Sequence, residues 1–174
     1  ELNVSELFIE ICFQRGLTTK DKIEQFINVD ETWFHDPFLL HDMDRAVERI
    51  TEAIENFEQI TIYGDYDADG MTSTALITES LESLGANVNY FLPSRFKEGY
   101  GPNIQAFEQI IEEGTSLIIT VDNGVAGHEA IKHANELGAD VIVTDHHELQ
   151  NTLPEAYAII HPKHPAGAYP FGDL

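Results

Sequence analysis

The sequence predicts an α/β fold, a mostly parallel sheet flanked by helices, with a helical N-terminal lead-in. Three observations carry this. From Gln59 onward, short β-rich runs alternate with helical segments across short connections, the pattern of a parallel sheet with helices on both faces. Runs such as Leu117-Ile118-Ile119 are apolar without alternation, which suits strands covered on both sides. Gly85, Gly114 and Gly138 each follow a helical stretch, where a left-handed stop is expected.

Taken in order, Leu7, Phe8, Ile11 and Cys12 have helical spacing, with Ser5 as the cap, and a second helix is expected to start after Thr19 and run to near Phe26. Trp33-Phe34-His35-Asp36-Pro37 reads as a turn whose aromatic side chains pack on the core. Met43, Ala46, Val47, Ile50, Ile54 and Phe57 form the apolar stripe of a long third helix. Residues 1–58 are therefore read as a helical N-terminal segment and 59–174 as the α/β domain. Within that domain strands are expected at Ile60–Tyr63, Val88–Leu92, Leu117–Val121, Val141–Thr144 and Ala158–Ile160. Helices are expected at Thr72–Leu84, Asn103–Glu113 and Gly127–Leu137. Pro162, Pro165, Gly167, Pro170 and Gly172 make the tail loop-like.

Composition narrows the function. The 174 residues suit about one domain, and 43% hydrophobic content supports a packed core. A single cysteine, Cys12, excludes an intramolecular disulfide framework. No apolar run approaches the ~20 residues of a membrane span, and no basic segment precedes an apolar one at the start. The expectation is a cytoplasmic protein with no membrane partner. The net charge of −22 repels phosphate backbones at long range. If the substrate is nucleic acid, positive charge comes from bound cations or from other parts of the protein.

In parallel sheets, ligands bind outside the carboxyl ends of the strands. Three predicted strands end there in polar clusters: Gly64-Asp65-Tyr66-Asp67-Ala68-Asp69-Gly70, Val121-Asp122-Asn123-Gly124 and Thr144-Asp145-His146-His147-Glu148. The topology brings all three to one edge. Asp65, Asp67 and Asp69 within five residues repel one another unless a cation lies between them. Carboxylate oxygens suit Mg²⁺, Mn²⁺ or Ca²⁺, and added imidazoles shift the preference toward Mn²⁺. A calcium-binding EF-hand loop fails at its twelfth position, which is Leu76 rather than Glu, and the preceding segment is a strand. The plain alternative for the acidic run is an exposed turn, and Asp122-Asn123-Gly124 alone is weak evidence. The adjacent His146 and His147 have no packing reason to stand at a strand end. Together these residues suit two metals that share a bridging carboxylate, activate water and clamp a phosphoryl group. His35, His41, His128, His133, His161 and His164 are read as structural or solvated. Ser73 and Thr74 suit a helix start, and a serine nucleophile is unsupported.

Asp-Tyr-Asp-Ala-Asp-Gly, Val-Asp-Asn-Gly and Asp-His-His, in that order on successive strands, resemble the DHH phosphoesterase superfamily. Within it, the likeness is to the bacterial single-strand-specific 5′→3′ DNA exonucleases. It runs through Gly64–Leu76, Pro93–Gly101, Ile118–Gly124, Val141–His147 and His161–Leu174, most of the α/β part.

The resemblance implies a Rossmann-like domain and two ions, Mn²⁺ or Mg²⁺. It implies that Asp67 and Asp69 each hold one metal, that Asp122 bridges both and that His146 is a ligand. Asp65 stands where some relatives carry a ligand. His147 would face the scissile phosphate, with Asp145 orienting its neighbours. Arg95 is a candidate phosphate clamp, against a surface salt bridge as the plain reading.

The implied activity is two-metal hydrolysis of single-stranded DNA from the 5′ end, releasing 5′-mononucleotides in repair and recombination. Implied partners are single-stranded DNA and downstream domains of the same parent chain, with a single-strand-binding protein and a helicase as further candidates. The family has a fourth acidic motif downstream of the third, and nothing after His147 fits it. These residues alone are therefore expected to bind metal weakly and to be weakly active or inactive. The alternatives are a relative acting on short oligonucleotides or cyclic dinucleotides, and a catalytically silent scaffold.

Overall fold

The computed structural model describes residues 3–28, 30, 34–94, 99 and 101–172. The chain divides into two compact units, Glu1–Asp36 and Pro37–Leu174. The first holds α1 (Glu6–Gln14) and α2 (Lys20–Ile27). Ser5 Oγ accepts the Phe8 N–H at 3.2 Å and Thr19 Oγ1 accepts the Lys22 N–H at 3.3 Å, each satisfying a donor that the first turn leaves over. Trp33 lies outside the described residues. Phe34 is exposed, so it does not pack on a core as the aromatic turn suggested.

The second unit opens with a 3₁₀ turn at Pro37–Leu39 and α3 (Met43–Glu55). Its α3, grouped by sequence with the helical lead-in, packs on the sheet's last strand and shares its core through Ala46 and Ala53. Phe57 does not extend the stripe of α3. It takes the left-handed stop position at φ 57° and is exposed, while the Glu58 N–H closes on the Ala53 carbonyl at 2.9 Å.

There follow β1 (Gln59–Tyr63), α4 (Ala68–Ser83), β2 (Asn87–Phe91), α5 (Ile104–Glu112), β3 (Thr115–Val121), α6 (His128–Glu136), β4 (Asp140–Thr144) and β5 (Ala158–Ile160). All neighbouring pairs are parallel, in the order β2-β1-β3-β4-β5. Gly85, Gly114 and Gly138 stop their helices at φ 84°, 104° and 85°. The fold is therefore α/β with a five-stranded parallel sheet.

Alternate residues of each strand supply two cores. Tyr63, Ile118, Val141 and Val143 meet Phe107 and Ile110 of α5 and Ile131 of α6 on one face. Ile60, Ile62, Leu117, Ile119 and Ile142 meet α3 and Leu81 of α4 on the other. The chain leaves β1 for β2 on one side and reaches β3 on the other. A crevice therefore opens at the carboxyl ends of β1 and β3.

Candidate metal centre at the strand ends

The ladder extends one step past each strand and sets the heights of the polar residues. The Gly64 N–H donates to the Phe91 carbonyl (3.0 Å), Asp122 N–H to Thr144 (3.0 Å) and Asp145 N–H to Ile160 (3.2 Å). Gly64 and Gly70 are required by close approach. A Cβ on Gly70 would lie 2.5–2.7 Å from Asp65 backbone and Cβ atoms, and one on Gly64 would strike the Thr74 side chain.

The acidic run is not one loop. α4 starts at Ala68, four residues before the spacing of apolar side chains suggests, because Asp67 caps it: its Oδ1 accepts the Gly70 N–H at 2.9 Å. Asp65 is buried behind that turn, 1% exposed, and its Oδ1 accepts the Tyr66 N–H at 2.7 Å. Asp69 projects from the first helical turn and is mostly exposed.

Asp122 occupies the left-handed region at φ 61°, which Asp and Asn enter more readily than other residues with a Cβ. This kink carries its carboxylate to a side chain only 5% exposed, 3.0 Å from His146 Nε2. Asn123 is more deeply buried and ties the ends of β1 and β3: its Nδ2 donates to the Val121 carbonyl at 3.0 Å and the Tyr63 carbonyl at 3.4 Å. The sequence offered one signal for it, a polar triplet closing a long apolar strand. Gly124 follows at φ 124°, against Thr120 and Val143.

Asp145 lies beneath the two histidines. Its Oδ1 accepts the His146 N–H (2.7 Å), the His147 N–H (3.0 Å) and His147 Nδ1 (2.7 Å), while Oδ2 accepts the Val125 N–H (3.0 Å). Burial works against the charge, but these donors outweigh it and hold the carboxyl below its ordinary range. For His147, burial likewise opposes the proton, and pairing with Asp145, with Asp122 and Asp65 nearby, raises the proton affinity above normal. Asp122 is shifted the other way for an acid. Burial and the charges of Asp69 and Asp67 raise it, against the hydrogen bond from His146.

Among the described residues, two groups offer three donors each with ligand atoms within 4.8 Å of one another: Asp65, Asp67 and Asp122, and Asp122, His146 and His147. They share Asp122. Asp69 belongs to neither, though its Oδ2 is 3.9 Å from His146 Nε2. Arg95 lies outside the described residues. Three carboxylates in the first group, two of them buried, and imidazoles in the second suit hard to borderline divalent cations. Two cavities flank the centre. One of about 720 Å³ runs between α3 and α4 over Ile119 and Ile142 to Asp122 and His146, and one of about 350 Å³ lies against Pro102, Gly127 and His147.

Comparison with known proteins finds relatives of this chain. Residues 59–168 match the model of the DHH family, N-terminal domain. The chain is 48% identical over all 174 residues to the single-stranded-DNA-specific exonuclease RecJ of Bacillus subtilis, covering 22% of it. It is 41% identical over 149 residues to the RecJ of Escherichia coli, covering 25% of that protein. The chain thus spans about a quarter or less of these relatives' length. Among solved structures it resembles exonuclease RecJ bound to manganese, with a TM-score of 0.69 and 36% identity over 76% of this chain and 34% of that one. It also resembles Thermus thermophilus RecJ in complex with Mn²⁺, with a TM-score of 0.69 and 31% identity over 92% of this chain and 22% of that one.

Proposed function

This chain belongs to the DHH family, and from that premise we propose that it carries the metal-binding half of the catalytic centre of a single-strand-specific DNA exonuclease. The observation that carries the proposal is the pair of three-donor groups joined at Asp122. Crowded carboxylates, one with its proton affinity raised by burial and by its neighbours' charges, are the donor set a divalent cation would relieve. Mn²⁺ or Mg²⁺ fits these donors, and the two RecJ structures that the chain resembles hold manganese.

When bound, two such ions supply Lewis acidity, lowering the pKa of a water and screening the phosphoryl charge. Asp65 and Asp67 would hold one ion, His146 the other, with Asp69 within reach, and Asp122 would bridge them. His147, with its ring held by Asp145 and its proton affinity raised by that pairing, would face a phosphate oxygen. Asp145 would keep both histidines aimed through three hydrogen bonds to one oxygen. Arg95 would clamp a second phosphate oxygen.

The reaction proposed is hydrolysis of single-stranded DNA from the 5′ end with release of 5′-mononucleotides, in repair and recombination. With a charge of −22, the cationic DNA surface would belong to the parts of the relatives that this chain does not span. A single-strand-binding protein and a helicase would deliver the substrate. Among the described residues no helix is long and apolar enough to cross a membrane, and the cytoplasm is the proposed location.

Calorimetric titration with Mn²⁺, for the parent, Asp122→Ala and His146→Ala, tests the centre. Binding lost in both variants supports it, and binding untouched by both overturns it. Digestion of 5′- and 3′-labelled single strands by the full-length protein then tests polarity. Cleavage confined to dinucleotides would reject the exonuclease assignment.

A further inference from the structure

His161 is 1% exposed and belongs to neither donor group. It follows the last residue of β5 and precedes Pro162. A residue before proline is driven toward extended conformations, so the chain keeps the direction of β5 through His161 before turning. The turn closes when the His164 N–H donates to the His161 carbonyl at 3.1 Å, with Pro162 in the second position that proline favours.

The ring has one role open to each nitrogen. The Lys163 N–H donates to Nδ1 at 2.9 Å, and since a backbone N–H only donates, Nδ1 carries no proton. The neutral ring therefore bears its proton on Nε2, which lies 2.8 Å from the His147 carbonyl, an acceptor only. β5 grips the neighbouring segment at both ends. The Ile160 carbonyl takes the Asp145 N–H at 3.2 Å, and the His161 ring takes the carbonyl of His147. Between these anchors Asp145 gathers the N–H groups of His146 and His147.

We propose that His161 is a positioning residue: by holding the His147 carbonyl it fixes the 145–147 backbone and so keeps the exposed His146 ring at Asp122 and the His147 ring at Asp145. Its functional meaning rests on the reading of His146 as a metal ligand, but its geometry does not. Without that hydrogen bond the segment loses its anchor on the β5 side of the two histidines, and more of the ordering of the ligands would fall at the moment of binding.

The test compares His161→Leu, which keeps the bulk and loses the donor, with His161→Gln, whose amide nitrogen reaches the place of Nε2, both in the full-length protein. The first readout needs no metal: backbone amide exchange at His146 and His147. Loss of one hydrogen bond predicts exchange about five- to tenfold faster in His161→Leu, with His161→Gln close to the parent. The second is Mn²⁺ affinity, expected to fall about tenfold in His161→Leu and to recover in His161→Gln. A folded His161→Leu with parental exchange and affinity overturns the proposal. If His161→Leu does not fold, the ring's ¹⁵N signals in the parent decide. A proton on Nδ1 overturns the proposal, while an Nε2–H tautomer with parental exchange in His161→Gln upholds it. A parent that binds no Mn²⁺ refutes the metal reading alone, and the amide exchange still judges His161.

Discussion

Replacing Gly70 with alanine sets two physical arguments against each other. Gly70 is the third residue of α4, and alanine in a helix is worth up to about 1 kcal/mol over glycine, so helix propensity alone predicts stabilisation. The tertiary structure predicts the reverse. A Cβ here would stand 2.5 Å from Asp65 Cβ and 2.7 Å from its Cα and N, atoms of the chain at the end of β1 rather than the tip of a flexible side chain. Ordinary carbon contacts need ~3.5–4.0 Å, so the first turn of α4 must retreat by about 1 Å. Overpacking of this kind costs about 1–3 kcal/mol. The retreat also breaks the cap between Asp67 Oδ1 and the Gly70 N–H, worth about 1 kcal/mol, which offsets the propensity gain. The net expectation is about 1–3 kcal/mol of destabilisation, a fall in Tm of ~3–9 °C for a domain of this size. Thermal unfolding followed by circular dichroism without metal reads the stability. Mn²⁺ calorimetry reads the second consequence, a loss of affinity as Asp65 and Asp67 part from Asp122. A Gly70→Ala protein as stable as the parent, with parental Mn²⁺ affinity, would refute the reasoning.

Three further outcomes follow from other parts of the structure. At Asp122, with φ 61°, Asn tolerates the left-handed backbone and Ala does not, so Asp122→Ala should melt below Asp122→Asn by about 1 kcal/mol although both lose Mn²⁺ binding. Equal melting of the two would show that the kink carries no strain. Arg49 is clamped by Glu58 (2.6 Å) and Asp140 (2.7 Å), and Ser116 Oγ also donates to Glu58. Arg49→Met should cost about 2–3 kcal/mol in denaturant unfolding, less than a fully buried pair because the two acids remain 23% and 41% exposed. The hydrogen bond from Arg49 outweighs burial and holds Glu58 below its ordinary value. The stability it contributes is therefore present above the usual glutamate range and lost as pH falls through the lowered value. Unfolding free energies measured from pH 7 down to pH 3 should fall more steeply in the parent than in Arg49→Met, and parallel curves would exclude the clamp as the cause.

Most of the elements were legible because periodicity and caps act locally. Ser5 and Thr19 cap as their residue types suggest, and all five strands fall at the apolar runs. The misplacements have local causes too. Asp67 starts α4 early by accepting a hydrogen bond that apolar spacing does not register, and Phe57 takes a left-handed stop that glycine usually fills. At the centre, polar residues following three strands pointed to one edge, since a parallel sheet aligns its carboxyl ends. Their division of labour was not readable. Asp65 and Asp69 look alike in sequence, yet one is buried within the first donor group and the other is exposed and outside both. His161, one more histidine in a proline-rich tail, gains its link to the site from the His147 carbonyl, 14 residues away.

By itself the sequence determined the alternation of strand and helix, the turn chemistry and which residue types end the strands, because these depend on neighbours a few residues apart. Only the tertiary structure decided which carboxylates meet, which histidine is held by which acid, and where a glycine has no room for a Cβ. Those outcomes depend on the register between strands and on the direction of each side chain at the crevice beside β1 and β3, where small differences in distance separate a shared cation site from mutual repulsion.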